Sequence, residues 1–156
     1  MEYKTNVMRI LDAHKIFYRH FSYDVNPAMS GIDIARIQNQ NPNIVFKTLV
    51  TVARPGRYYV FLVPVARELD LKRAATAVDE KSLSMVPQRD LLHVSGYVHG
   101  GCSPVGMKKL FPTIIDSSAQ NFDSIIFSAG RPGHQIQLAT SDLLKIVPFK
   151  FADVSE

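Results

Sequence analysis

One stretch of the chain, residues 44–66, constrains the fold more than any other. Two apolar, β-branched segments, IVFKTLVTVA and YYVFLVPVA, flank the tetrapeptide RPGR. Such residues favour strands, and a Pro-Gly turn between two such runs is typical of a β-hairpin. The stretch therefore predicts a pair of long antiparallel strands.

Helical and extended patterns alternate along the rest of the chain. Helical periodicity and capping residues predict five helices, over residues 5–15, 30–38, 69–78, 86–94 and 140–146. The expected N-caps are Thr5, Ser30 with Asp33 as its capping-box partner, Asp70, and one of Thr140, Ser141 and Asp142; Pro87 lies in the first turn of the fourth helix. Further extended runs cover residues 17–23, 113–116, 124–130 and 134–139.

These elements interleave, but the hairpin argues against a purely parallel sheet. We therefore expect an α/β (α+β) fold with a mixed, strongly curved sheet of about six or seven strands surrounded by helices. At 156 residues, without a linker or repeat, the chain is expected to form one domain over residues 1–156.

Composition restricts the protein class only broadly. The apolar runs are shorter than the roughly 20 residues that span a bilayer, and no signal peptide is recognisable. A single cysteine excludes an internal disulfide and fits a cytoplasmic location. The net charge of +4 and the pI of about 9.3 suit a polyanionic partner such as RNA, but equally an ordinary solvated surface.

Lys47 lies in the middle of the first hairpin strand, among Val45, Phe46, Leu49 and Val50. A lysine is rarely buried without a partner. Its side chain must therefore reach solvent through strand alternation or point into a polar pocket. The pattern alone favours solvent and leaves the pocket as the functional alternative.

Two glycine-rich segments follow, GYVHGGCSPVGMKK over 96–109 and SAGRPGHQ over 128–135. Adjacent N–H groups at Gly100 and Gly101 could hold a carbonyl oxygen or a phosphate. Glycine, proline and serine are also the residues of ordinary turns, so both readings stay open.

Established catalytic signatures are missing from the sequence. Cys102 has no recognisable histidine partner, and the five histidines lack metal-ligand spacing. No nucleophile elbow, phosphate-binding loop or dinucleotide fingerprint occurs. The residues alone thus predict a pocket and assign it no reaction.

Three segments in order, VFKTLV, GYVHGGCSPVGMKKLFPTIID and FSAGRPGHQIQL, carry a resemblance over about residues 16–153. They resemble the YbaK/EbsC family of free-standing aminoacyl-tRNA deacylases, relatives of the editing domain of prolyl-tRNA synthetases, and look most similar to the Cys-tRNA(Pro) deacylases. The resemblance implies a partly barrel-like fold, hydrolysis of mischarged proline tRNA and no cofactor or metal. It also suggests association with prolyl-tRNA synthetase and no membrane partner.

The resemblance assigns roles to individual positions. Lys47 is implied to hold the terminal adenosine or its phosphate, and the Gly100 and Gly101 amides to stabilise the oxyanion. The implied substrate-binding residues are Tyr23, Met29, Phe46, Thr48, Cys102, Ser103, Ser128, Gly130 and Gln135.

Two positions depart from what is common in such deacylases: Gln135 where an acidic residue is frequent, and Cys102 where an aliphatic one is. Either departure could change which amino acid is removed. The thiol of a cysteinyl substrate could attack its own ester, whereas alanyl or seryl esters would need a water activated by His99 or His134. A non-catalytic tRNA-binding module and a small-ligand protein are the other classes left open.

Overall fold

Helices and strands alternate in the computed structural model, which describes residues 3–156. The helices are α1 (Asn6–Ala13), α2 (Gly31–Ile37), α3 (Leu71–Ala77), α4 (Gln88–Ser95) and α5 (Thr140–Leu143), with a 3-10 turn over Ser117–Asn121. The strands are β1 (Arg19–Ser22), β2 (Phe46–Arg54), β3 (Arg57–Pro64), β4 (Ser84–Met85), β5 (Thr113–Asp116), β6 (Ser124–Ser128), β7 (His134–Ala139) and β8 (Phe149–Ala152).

The predicted hairpin is confirmed as the antiparallel pair β2 and β3. It lies inside a five-stranded sheet of order β4-β2-β3-β5-β8, in which β5 is parallel to both β3 and β8. Residues 59–64 of β3 are buried on both faces of the strand, which explains its unbroken apolar run. The mixed α/β fold is thus confirmed.

Within residues 3–156 the strands number eight and form two sheets, which corrects the expected six or seven strands in one sheet. The smaller sheet has the order β1-β7-β6, with every pair antiparallel. A parallel bridge between Val45 and Ile126 joins the sheets at the start of β2. The two additional strands, β4 and β8, are two and four residues long.

Side-chain caps begin three helices as predicted. Thr5 accepts from the Met8 N–H, Ser30 and Asp33 form a reciprocal capping box, and Asp70 accepts from the Lys72 and Arg73 N–H groups in the first turn of α3. These bonds satisfy amides that have no partner within the helix.

The predicted cap of the last helix is wrong. The N-cap of α5 is Ala139, without a side-chain hydrogen bond, because the chain passes directly from β7 into the helix and the Thr140 N–H donates to the Asp123 carbonyl. The helix ends at Leu143, earlier than expected. None of the helices within residues 3–156 is long and apolar enough to cross a bilayer.

Candidate functional site

The join between the two sheets brings the first and third sequence segments together. Val45 and Ile126 pair in parallel where β2 meets β6. Lys47 lies two residues after Val45, and Ser128 lies two residues after Ile126, so strand alternation puts both on the same face. Ser128 is in turn opposite Gln135, and Gln135 is opposite Phe21. Lys47, Ser128, Gln135 and Phe21 therefore form one row across the join.

Lys47 is neither fully solvated nor buried, since its side chain is 28% exposed. Its ammonium lies 3.4 Å from Oε1 of Glu68, whose side chain is 79% exposed. An exposed ion pair of this kind contributes about 0–1 kcal/mol. An anionic ligand could therefore displace Glu68 from Lys47 at little cost.

The neighbours of Lys47 in sequence point to the opposite face of β2. Phe46 is 3% exposed and packs in the main core together with Phe127 and Ala129. Alternation directs Thr48 to the same side as Phe46, where its Oγ1 is buried without a hydrogen-bond partner among residues 3–156. The ring of Phe46 therefore belongs to the core, and its contact with the substrate stays a prediction.

Gly100 and Gly101 are required for different steric reasons. Gly100 has φ +86°, in the left-handed region that favours glycine. A Cβ on Gly101 would lie 2.7 Å from Cδ and 3.0 Å from N of Pro132, and 3.1 Å from Cα of Arg131. The loop around Gly101 thus packs directly on the backbone of the β6–β7 turn, which brings the second segment to the third.

The directions of the backbone N–H bonds change which of the two glycines can donate to an oxyanion. The Gly101 N–H donates to the Val98 carbonyl at 3.0 Å, so it is already engaged. The Gly100 and Cys102 N–H groups have no acceptor within residues 3–156, and Gly100 is exposed. Of the two glycines, Gly100 is therefore the accessible backbone donor. Gly101 instead allows the loop to pack closely against Arg131 and Pro132.

Cys102 and Ser103 support the loop from inside. Cys102 is 8% exposed and packs in the main core, and burial raises the pKa of its thiol to about 11. Ser103 is fully buried, and its Oγ accepts from the Val105 N–H at 3.4 Å. A neutral, buried thiol is a poor nucleophile at neutral pH. The side chains of both residues are thus placed for packing.

The third segment forms a tight turn at the end of the small sheet. The Gly130 N–H donates to Ser128 Oγ at 3.0 Å, and Gly130 has φ +100°. Tyr23 follows β1 and donates its N–H to the Gly133 carbonyl at 2.9 Å. The implied residues Tyr23, Ser128 and Gly130 are thereby held around one turn.

Gln135 is buried, and its Oε1 accepts from the Gln38 and Gln40 side-chain amides at 2.8 and 3.0 Å. Its side-chain oxygen is therefore not free to accept from a substrate amine unless one of these bonds breaks.

Met29 is half-buried in the loop before α2, where its N–H donates to the Asn26 carbonyl.

Sequence reasoning missed Gln38, Gln40 and Glu68, the partners of Gln135 and Lys47. The polar run QNQNPN after α2 was the available signal for the two glutamines, but it equally fits a loop. Within the part of the chain that the structure describes, no three side chains of His, Cys, Asp or Glu are grouped so as to hold a metal ion.

Comparison with known proteins identifies the family. Residues 25–146 match the aminoacyl-tRNA editing domain. EbsC of Enterococcus faecalis, which carries the provisional name Cys-tRNA(Pro)/Cys-tRNA(Cys) deacylase, is 39% identical over 97% of this chain and 93% of its own. A proline–tRNA ligase of Tropheryma whipplei is 35% identical over 67% of this chain and 17% of the ligase.

Solved structures share the fold at low sequence identity. The hypothetical protein APE2540 superposes with a TM-score of 0.85 at 18% identity, over 96% of this chain and 99% of its own. A protein described as a candidate trans-editing enzyme for prolyl-tRNA synthetase gives 0.81 at 20% identity, over 99% of each chain. With the matched span and the full-length similarity to EbsC, the chain belongs to the aminoacyl-tRNA editing domain family.

Proposed function

We propose that this protein is a trans-editing deacylase that removes cysteine from mischarged proline tRNA. The observation that carries the proposal is the convergence of three family segments at the β6–β7 turn: the Lys47 strand is bridged to the Ser128 strand through Val45 and Ile126, and Gly101 lies against Pro132. Such a second sieve is needed because a synthetase pocket discriminates poorly between small amino acids, by about 1–3 kcal/mol per methylene. The proposal takes residues 1–156 as one editing domain acting in the cytoplasm.

The chemistry proposed is assisted by the substrate. The cysteinyl thiolate attacks its own ester carbonyl, a carbon–sulfur bond forms, and the ester carbon–oxygen bond breaks. The ribose oxygen leaves and takes up a proton, and water then opens the thiolactone to free cysteine. A protein nucleophile is unnecessary, which agrees with the buried thiol of Cys102 and its pKa of about 11.

The chain's own residues position the ester and stabilise developing charge. Lys47 exchanges the weak Glu68 contact for a phosphate or the terminal adenosine. The exposed Gly100 N–H, with Cys102 as a second donor, faces the carbonyl oxygen as it becomes negative. Removing one such donor typically costs about 100-fold to 1000-fold in rate.

A water route is the second candidate, and the exposure of His99 next to Gly100 favours His99 as its base. His134 is less suited, because it adjoins Gln135 in β7 and so points to the opposite face. Its ring is also hydrogen-bonded to His20. This route would act equally on alanyl and seryl esters.

The test is a panel of proline tRNA charged with cysteine, alanine, serine or proline, scored for ester loss and for binding. We expect rapid loss of cysteine and retention of proline. Comparable loss of alanine and serine would favour the water route. Binding without any ester loss would contradict the enzyme and select a tRNA-binding module, and neither binding nor ester loss would indicate a small-ligand protein.

The small chain offers few elements to read an anticodon, so we propose that prolyl-tRNA synthetase supplies part of the tRNA selection by association. Copurification of the two proteins, with selectivity for proline tRNA that rises when the synthetase is added, is the expected result. Full selectivity of the isolated protein would make the association unnecessary.

A further inference from the structure

Three rings stack at the edge of the small sheet, and we name Tyr3, His20 and His134 the aromatic platform. The Tyr3 and His134 ring centroids are 4.7 Å apart with an interplanar angle of 24°, and those of His20 and His134 are 5.2 Å apart at 18°. A hydrogen bond of 2.9 Å joins the two imidazoles. Tyr3 is 44% exposed, so the stack ends at solvent.

Cationic side chains surround the outer end of this platform. The Arg131 guanidinium lies 5.8 Å from the centre of the Tyr3 ring. Arg131, Arg9 and Lys4 line a surface cavity of about 330 Å³ together with Tyr3 and Tyr97. Lys4 pairs with Asp12, but no carboxylate of residues 3–156 is among the cavity's lining side chains. The cavity therefore suits an anionic ligand with a flat group.

Arg131 connects this cavity to the proposed active site. Its Cα is one of the atoms that a Cβ on Gly101 would touch, at 3.1 Å, while its side chain extends over Tyr3. Gly130 also lines the cavity and belongs to the same turn as Ser128. A chain whose end lies at Gly100 and Lys47 would reach the platform by crossing a single turn.

We propose that the aromatic platform and its cations bind the unpaired nucleotides that precede the terminal adenosine of the tRNA. A base stacks on the exposed Tyr3 ring, and the adjoining phosphates contact Arg131 and Arg9. Aromatic side chains beside a basic groove are the usual means of holding single-stranded nucleic acid, because every base offers a flat face. This inference rests on the proposed function, which places the terminal adenosine next to the same turn.

The test measures affinity for uncharged proline tRNA with its complete CCA end and for the same tRNA lacking CCA. We expect Tyr3→Ala to weaken binding of the complete tRNA about tenfold and Tyr3→Phe to keep it, since stacking needs the ring and not the hydroxyl. Arg131→Ala should lower the slope of log affinity against log salt by about 0.7. The truncated tRNA should bind all variants equally.

Matched controls are Phe17→Ala, which removes an aromatic side chain that is 78% exposed elsewhere, and Arg54→Ala, at the exposed last residue of β2. Both should bind like the wild type. Wild-type affinity of Tyr3→Ala, or an equal loss with the truncated tRNA, would overturn the proposal. Because the tRNA is uncharged, these results do not depend on ester hydrolysis, so a failed deacylation panel would refute the proposed activity and leave this binding test decisive.

Discussion

The two faces of the join between β2 and β6 use neighbouring residues for opposite purposes. On one face, Phe46, Phe127 and Ala129 are at most 3% exposed and fill the main core. On the other, Lys47 and Ser128 are half-exposed and polar. Strand alternation thus places a residue needed for stability one position from a residue proposed for catalysis. The difference teaches that proximity in a sequence motif does not imply a shared role.

Phe46→Ala should give the largest effect on stability, since it removes a ring from a closely packed core. The expected loss is about 3–5 kcal/mol in the free energy of unfolding. Urea denaturation followed by circular dichroism measures it. Phe17→Ala, at a side chain 78% exposed, is the matched control and should cost less than about 0.5 kcal/mol. Similar losses in both variants would contradict the division between the faces.

Lys47→Ala tests the polar face. Deacylation of cysteinyl proline tRNA should fall at least about 100-fold, as when a site loses a group that stabilises the transition state. Because the ion pair with Glu68 is weak, the midpoint of thermal unfolding should hardly change.

Glu68→Gln is the control for Lys47→Ala, since it removes the same ion pair and leaves the ammonium. This variant should retain turnover. A folded Lys47→Ala protein with normal turnover would refute the assignment of Lys47.

Gly101→Ala extends the comparison to the loop. Its Cβ would meet Pro132 backbone at 3.0 Å, so the loop and the turn must separate. Overpacking of this kind costs about 1–3 kcal/mol in stability. Deacylation should fall as well, because the Gly100 amide moves away from the Lys47 row. Rate measurements under single-turnover conditions give the loss.

Gly56→Ala provides the contrast for Gly101→Ala. Gly56 also requires glycine for its φ of +80°, but no atom lies within 4 Å of a Cβ there. A modest loss of stability with full deacylation is expected. Equal losses of activity in the two variants would mean that contact with Pro132 is irrelevant to the site.

Local signals explain what could be predicted from the sequence. The hairpin and the caps at Thr5, Ser30 and Asp70 depend on residues a few positions apart, and all four are confirmed. β4 and β8 are too short to carry a periodic signal. Each forms only by pairing with a strand that is distant in sequence, β2 and β5 respectively.

The candidate site was predictable in outline only. Motif resemblance suggested the segments that the structure brings together, but the contact of Gln135 with Gln38 and Gln40 spans about 95 residues of sequence and left no trace in any motif. Period-two alternation alone separates Phe46 from Lys47 and directs the Phe46 ring to the core face of β2. Amide directions, such as that of Gly101 toward Val98, require the folded loop.

Cys102→Ser is expected to give the smallest change in stability. The change is recognised by its dependence on pH. Burial raises the thiol pKa from 9.0 to about 11, so the unfolded chain loses this proton at a lower pH than the folded one. Stability from this group is complete below pH 9 and is lost as the pH rises toward 11. Wild-type stability should therefore fall by about 1 kcal/mol more than that of Cys102→Ser between pH 8 and 10. Equal slopes of stability against pH in the two proteins would contradict a neutral, buried thiol. A deacylation rate more than about 100-fold lower in Cys102→Ser would instead favour Cys102 as a nucleophile.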